Sequence, residues 1–221
     1  MKTMLYVAVA LTLALPAHAQ TTPARERARA VLPPEVFTQV ETITADAVRG
    51  GLPAEPLWDK ALEGAAKRVP AGRIPAALSE YVGRLGSARG ALGAELPPGA
   101  LVAGADALRR GVPVAALAQV REGARTSMAL VVLGDLVETG VPVDRAVDVV
   151  RAALEQRAPD EDMLALGARV RAGMRQGQSA GAAADGVRRA IREGRVRRNP
   201  PTDAARPPRP ASGEPAMRPG R

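Results

Sequence analysis

The fold of this chain is decided by the stretch Gly51-Leu52-Pro53-Ala54-Glu55-Pro56-Leu57-Trp58-Asp59-Lys60-Ala61-Leu62-Glu63-Gly64-Ala65-Ala66-Lys67. Gly51 favours the end of a helix, because glycine adopts at little cost the left-handed conformation that terminates helices. Pro53 favours the start of the next helix, where its missing N–H is no loss. After it, apolar residues including Leu57 and Trp58 recur at helical spacing. The stretch therefore predicts a helix end, a short turn and an amphipathic helix over about 53–68.

The same phrase recurs as Gly-Val-Pro at 111–113 and again at 140–142. In the last copy Val141 is placed to pack back on Leu136, as the residue after a terminating glycine often does. Breaks in the helical pattern are predicted at Gly51, Arg68, Glu95, Gly111, Gly140, Arg157 and Gly177. No segment shows the period-two alternation of a strand. The sequence therefore predicts an all-α fold, a single-domain array of about eight or nine short helices joined by tight Gly/Pro turns, arranged as a helical repeat or an orthogonal bundle.

Individual segments carry further expectations. The run from Met128 to Leu133 is entirely apolar, which is typical of the most buried helix of a domain. Residues 86–95 are rich in Gly and Ala and are interpreted as a loop or a frayed turn. Trp58 lies on an apolar stripe and is interpreted as a core residue. Beyond the first 19 residues the chain has only Phe37, Tyr81 and Trp58 as aromatic residues, and they are interpreted as scattered.

Four segments are predicted from composition. Residues 1–19 resemble a signal peptide, with an apolar run of 12 residues from Met4 to Leu15 and an A-x-A cleavage site at 17–19. A membrane anchor is the alternative, but that run is too short to span the ~30 Å of hydrocarbon. Residues 20–32 are predicted to be a flexible leader, 33–197 the helical domain, and 198–221 a disordered Pro/Arg-rich tail. The expected location is outside the cytoplasm, periplasmic or secreted from a bacterium, without a transmembrane anchor.

The residue types of the chain exclude several chemistries. There is no Cys, and the single His is His18, within the predicted signal peptide. After cleavage, neither a Cys/His or Ser-His-Asp constellation nor an ordinary zinc site can form. We therefore predict no enzymatic activity, no catalytic residues, no metal and no cofactor. A hydrolase that uses two carboxylates alone is the remaining enzymatic alternative.

The net charge of +8 is concentrated at the C-terminus, where residues 195–221 contribute seven Arg against two acids. Upstream of this tail, Arg188 and Arg192 share one face of the last predicted helix. This basic face is a candidate contact with an anionic surface such as lipid headgroups or lipopolysaccharide. Its residues are Arg188, Arg192, Arg195, Arg197 and Arg198. Nucleic acid is a poor candidate partner, because base stacking needs aromatic platforms.

Two charged clusters leave a choice between function and structure. Glu63 and Lys67 are four residues apart on a helix, and Glu-Gly motifs at 122–125 and 193–195 echo them. They could form a recurring rim for a partner, but a solvent-exposed pair is the commoner meaning. The acids at 160–162 could be imagined as a cation site, yet helix capping and the helix dipole explain them better.

The phrase Gly51-Leu52-Pro53, with Pro56-Leu57, Lys60, Glu63-Gly64 and Lys67, resembles a group of uncharacterised exported all-helical bacterial proteins that share this helix-start repeat. The resemblance extends over about 50–85. It implies an exported helical protein, and it implies no activity and no functional residues.

Three hypotheses for function follow, in order. The first is a non-enzymatic exported protein with an interaction or structural role in the cell envelope, binding a protein partner through one face of the array. The second is association with anionic lipid or lipopolysaccharide through the basic C-terminus. The third is a hydrolase that works through carboxylates alone.

Overall fold

The structure, a computed structural model that describes residues 23–194, confirms the predicted all-α fold. Within that range 78% of the residues are helical and none forms a strand. The α-helices are α1 (Pro23–Val31), α2 (Pro34–Arg49), α3 (Glu55–Ala66), α4 (Ile74–Leu92), α5 (Pro98–Arg109), α6 (Val114–Gln119), α7 (Thr126–Glu138), α8 (Val143–Glu155), α9 (Asp160–Leu164), α10 (Leu166–Arg175) and α11 (Ala180–Arg192). Two 3₁₀ turns, Ala71–Arg73 and Gly123–Arg125, lead directly into α4 and α7. The predicted segments 1–19 and 198–221 lie outside the described residues.

One turn geometry ends six of these helices. Its central residue has a φ between 49° and 94° in every case. The N–H of this residue donates to the carbonyl three positions back at 2.8–3.1 Å, and the next N–H donates to the carbonyl five positions back at 2.9–3.2 Å. These two bonds define the Schellman motif, which satisfies carbonyls at the end of a helix. The central residues are Gly51, Arg68, Gly111, Gly140, Arg157 and Gly177. Six of the seven predicted breaks therefore have this geometry, and the seventh, at Glu95, is confirmed as the non-helical link between α4 and α5.

At Pro113 and Pro142 the next helix begins one position later than predicted. Pro113 and Pro142 are N-cap residues with extended ψ angles of 150° and 139°, so the helices start at the following residue. Their carbonyls accept the first helical hydrogen bonds, from Ala116 and Ala146. In the first copy α3 begins only at Glu55, with Ala54 as its N-cap. The proline still costs nothing, because the N–H of an N-cap residue lies outside the helical ladder.

The segment predicted as a flexible leader, 20–32, is instead helical from Pro23 to Val31. Ala24 and Ala28 are fully buried and α1 packs against α2 and α3. The guanidiniums of Arg25 and Arg29 lie 5.7 and 5.5 Å from the centre of the Phe37 ring. A polar sequence with only alanines on its inner face carries a weak helical signal, and these tertiary contacts supply the missing stabilisation.

The predicted loop at 86–95 is also helical as far as Leu92. Leu85, Ala88 and Leu92 share one face of α4 and are fully buried. Their burial outweighs the low helix propensity of Gly86 and Gly90. Helix α1, together with the separation of α9 from α10 at Ala165, raises the number of α-helices within the described range to eleven.

The chain divides into two compact units, where the sequence predicted one domain over 33–197. The N-terminal unit ends at Leu78 and the C-terminal unit begins at Ser79. In the N-terminal unit α1, α2 and α3 pack on one another. In the C-terminal unit α7 contacts α5, α8, α9 and α10, so its predicted central position is confirmed. Val131 is an exception on this apolar helix, with 45% of its surface exposed.

Candidate functional site

A half-open cleft of about 190 Å³ lies in the N-terminal unit, between α3 and the first turn of α4. Helix α3 lines it with Lys60, Glu63 and Gly64, and the C-cap residue of α3 lines it with Lys67. The connecting turn and α4 line it with Val69, Ile74, Ala77 and Leu78. Lys60 precedes Glu63 and Gly64 by three and four positions, and Lys67 follows them by four and three, so these residues share one face of the helix. One side of the cleft is charged and the other is apolar.

The charged side is a carboxylate held between two ammonium groups. Lys60 donates from Nζ to Oε2 of Glu63 at 2.8 Å, and Lys67 donates from Nζ to Oε1. The side chains of Lys60 and Glu63 are 32% and 40% exposed, whereas Lys67 is 68% exposed. The predicted Glu63–Lys67 pair therefore exists, but it belongs to a group of three at the edge of a cleft.

These two lysines determine the protonation of Glu63. The hydrogen bond from Lys60, followed by that from Lys67, lowers the pKa of Glu63 to about 2. Burial opposes this shift and is the weaker influence. Glu63 is therefore ionised at any pH near neutrality and holds both ammonium groups in place.

Gly64 keeps the bottom of the cleft open. A Cβ atom built on Gly64 would lie 3.3 Å from Cγ1 of Ile74, and the rest of a larger side chain would fill the space. Ile74 and Leu78 are buried, with exposed fractions of 5% and 1%. The floor of the cleft is thus aliphatic, and it lies directly beside the lysine–glutamate group.

The turn at the end of α3 adds positive charge. Arg68 and Arg73 are exposed, and neither forms an ion pair within the described residues. No Asp or Glu occurs between residues 64 and 79. The lining residues Lys60, Glu63 and Lys67 carry a net charge of +1, and Arg68 and Arg73, which are adjacent in sequence to the lining residues Lys67 and Ile74, add two positive charges. Such a rim attracts anionic groups.

The sequence contained a signal for this site in its lysine content. The chain has 28 Arg and three Lys, and one of those lysines is Lys2. The other two, Lys60 and Lys67, both contact Glu63. Spacing alone predicted the Glu63–Lys67 pair, but it did not predict the cleft, because Ile74 and Leu78 lie beyond the turn.

The cleft lacks the pair of acids that a carboxylate hydrolase needs. Glu63 is the single carboxylate among its lining residues. Glycoside hydrolysis uses two carboxyl groups, one of which has a raised pKa and donates a proton. The lowered pKa of Glu63 is the opposite of that requirement.

The predicted anionic-surface residues are divided by the structure. Arg188 donates to Asp148 at 2.7 Å and lies 3.4 Å from Asp185, which also pairs with Arg145. Arg188 therefore holds α11 against α8, and its charge is already compensated. Arg192 is exposed at the end of α11. The other three members, Arg195, Arg197 and Arg198, lie outside the described residues.

Trp58 is a core residue, as predicted. It is 3% exposed and stacks on Phe37 with ring centres 5.6 Å apart and an interplanar angle of 23°. The interpretation of the aromatic residues as scattered was wrong for this pair. Because both rings are buried, neither offers a face to a ligand.

Asp160 and Asp162, at the start of α9, form ion pairs. Asp162 pairs with Arg169 at 2.8 Å, with both side chains 15% exposed, and Asp160 lies 3.3 Å from Arg125. The N-cap of α9 is Pro159, so these acids lie in the first turn and do not cap it. Among residues 23–194, no three His, Cys, Asp or Glu side chains converge as a metal site requires.

No helix within residues 23–194 has both the length and the apolar character needed to cross a bilayer. Comparison of the chain with protein-family models, with curated proteins and with solved structures found no match.

Proposed function

We propose that this chain is a non-enzymatic binding protein of the bacterial cell envelope, and that the cleft between α3 and α4 holds a protein partner. The observation that carries the proposal is the contact of Lys60 and Lys67 with Glu63 beside an aliphatic floor. A charged edge next to a small apolar depression is the usual anatomy of an anchor site at an interface.

The size of the cleft favours a macromolecular partner. Small-molecule sites usually have volumes of about 300–1,000 Å³, whereas this cleft measures about 190 Å³. A space of that size suits a single side chain, so most of the ligand would lie outside it. The exposed Arg68, Arg73 and Lys67 would then contact acidic groups of the partner at the rim.

Site-specific photo-crosslinking in the native host tests the proposal. A photoreactive residue replaces Ala77, which is exposed at the edge of the cleft, and in a matched control it replaces Ala118, which is exposed on α6. We expect one protein, identified by mass spectrometry, to crosslink from position 77 and not from 118. That product should disappear in the Lys67→Gln variant. Equal products from both positions, or none from position 77, would contradict the proposal.

The envelope location depends on residues 1–19, which lie outside the described range. Fractionation of cells that express the full chain tests it. We expect the protein in the periplasm or the medium, shortened by 19 residues, and an intact N-terminus in the cytoplasm would contradict export. The resemblance to exported helical proteins over 50–85 is consistent with this proposal.

Association with anionic lipid or lipopolysaccharide is the second candidate. It is favoured by the net charge of +5 in residues 195–221 and by the exposure of Arg192. Binding to anionic vesicles at low salt should be lost when the chain ends at residue 194 and unaffected by Lys67→Gln. Vesicle binding that survives the truncation removes this candidate.

A further inference from the structure

We infer that the cleft recognises the free carboxyl terminus of a partner chain whose last residue is aliphatic. This inference rests on the proposed function, since it specifies what the partner presents to the same cleft. The structural basis is the adjacency of two features, an aliphatic floor at Ile74 and Leu78 and the exposed ammonium group of Lys67.

The aliphatic part of the ligand follows from volume and lining. A space of about 190 Å³ bounded by Val69, Ile74 and Leu78 accommodates one branched aliphatic side chain. Burying such a side chain contributes about 1.5–3 kcal/mol, whereas a charged side chain in the same place would lose its hydration without a partner.

The carboxylate follows from the arrangement of donors. An ammonium group has three N–H donors, and Lys67 directs one of them to Glu63. Lys60, Glu63 and Lys67 together carry a net charge of +1, which Arg68 and Arg73 increase. Glu63 aligns the ammonium group in advance, so a bound carboxylate need not order a free lysine side chain.

A chain terminus fits this arrangement better than an internal acidic residue. In an extended chain, successive side chains point to opposite faces. An internal acid beside an aliphatic residue therefore sends its charge away from the apolar side chain. The last residue of a chain carries both its side chain and its carboxylate on one Cα, so the two groups reach adjacent points of the cleft together.

The same dimensions disfavour a fatty acid as the ligand. Its carboxylate would meet Lys67 equally well, but a long acyl chain needs a tunnel. The aliphatic floor here is only as long as the distance between Val69 and Leu78, across a single turn and the start of α4. A fatty acid therefore serves as a competing ligand in the test.

Fluorescence anisotropy with labelled peptides and the full chain tests the inference. One peptide ends in Gly-Ser-Gly-Leu with a free carboxylate, and a second has the same sequence with a terminal amide. We expect the free acid to bind about tenfold more tightly or better, as a lost charged contact implies. Lys67→Met should remove this difference, and Gly64→Leu, which fills the cleft, should abolish binding of both peptides.

Arg192→Gln is the matched control, because it removes one exposed positive charge far along the sequence and should leave the affinity unchanged. Circular dichroism verifies that each variant is folded, and Lys67→Met alone suffices if Gly64→Leu does not fold. The inference would be overturned if the affinities of the free-acid and amide peptides lay within twofold of each other. It would also be overturned if Lys67→Met and Arg192→Gln lowered the affinity for the free-acid peptide equally. Displacement of the peptide by decanoate at equal concentration would do the same. Failure with peptides while crosslinking from position 77 persists would remove this inference and leave the proposed function standing.

Discussion

The backbone N–H of Val141 donates a 3.1 Å hydrogen bond to the carbonyl oxygen of Leu136, and both side chains are buried. This bond closes the turn between α7 and α8, and it requires Gly140 to adopt a φ of 94°. The same relationship joins Val112 to Ala107 at 3.0 Å, after Gly111. The repeated phrase of the sequence is therefore one backbone motif, in which glycine supplies the conformation and the next residue enters the core.

Replacing Gly140 should test that motif directly. A Cβ at position 140 meets no neighbouring atom within 4 Å, so the penalty of Gly140→Ala comes from the backbone alone. We expect the free energy of unfolding to fall by about 1–2 kcal/mol, measured by urea denaturation. Gly140→Asn should lower the free energy of unfolding by less, because asparagine tolerates the left-handed region. Equal losses for Ala and Asn would show that the conformation is not the cause.

Arg157 occupies the same left-handed position at the end of α8, with a φ of 49°. Since a residue with a Cβ is strained there, Arg157→Gly should be more stable than Arg157→Ala by about 1 kcal/mol. Comparing two neutral variants removes the contribution of the arginine charge at the helix end. Thermal denaturation of both proteins measures the difference, and an Ala variant at least as stable as the Gly variant would rule out strain.

Replacing Gly104 by alanine should lower the stability of the fold, whereas replacing Gly86 by alanine should raise it. A Cβ on Gly104 of α5 would lie 2.9 Å from Cβ of Ala88 and 3.2 Å from Cδ1 of Leu92, both on α4. We expect Gly104→Ala to lower the free energy of unfolding by about 1–3 kcal/mol through overpacking. Gly86, in the middle of α4, has open space around it. Gly86→Ala should raise stability by about 0.5–1 kcal/mol, and a loss there would contradict the helical assignment of 86–92.

The ion group of the cleft should make stability depend on acid pH. The pKa of Glu63 is about 2 in the folded protein because Lys60 and Lys67 donate to it, and it lies near 4.3 in an unfolded chain. Ionised Glu63 therefore stabilises the fold above about pH 4.3, and this contribution disappears as the pH falls towards 2. Because the side chain is 40% exposed, screening limits the effect to roughly 0.2–1 kcal/mol.

Glu63→Gln provides the comparison. The free energy of unfolding of this variant should be lower than that of the natural chain. The difference should be constant from pH 7 to about 5 and should shrink between about pH 4.3 and pH 2. The fluorescence of Trp58, the only tryptophan, follows urea unfolding at each pH. If the difference in free energy of unfolding stays constant down to pH 2, Glu63 is not held between the two lysines.

Several misassigned segments share one physical cause. Helix α1 buries only Ala24 and Ala28, and the latter half of α4 contains Gly86 and Gly90. Short-range propensity is weak in both segments, so each becomes helical through contacts with distant residues. The division of the chain near Ser79 likewise depends on which helices pack together. No local pattern in the sequence predicts which helices pack together.

The sequence by itself determined the helical class and six of the turns, because glycine and proline act through the backbone of their own neighbourhood. It also placed Lys60, Glu63 and Lys67 on one face of the predicted helix over 53–68, since that face follows from the helical period. Only the tertiary structure decided that Ile74 and Leu78 return beside them to make a cleft. It likewise decided that Arg188 neutralises acids on α8 and α11. Contacts across a turn or between helices depend on how whole helix faces pack against one another. Short patterns in the sequence do not predict that packing.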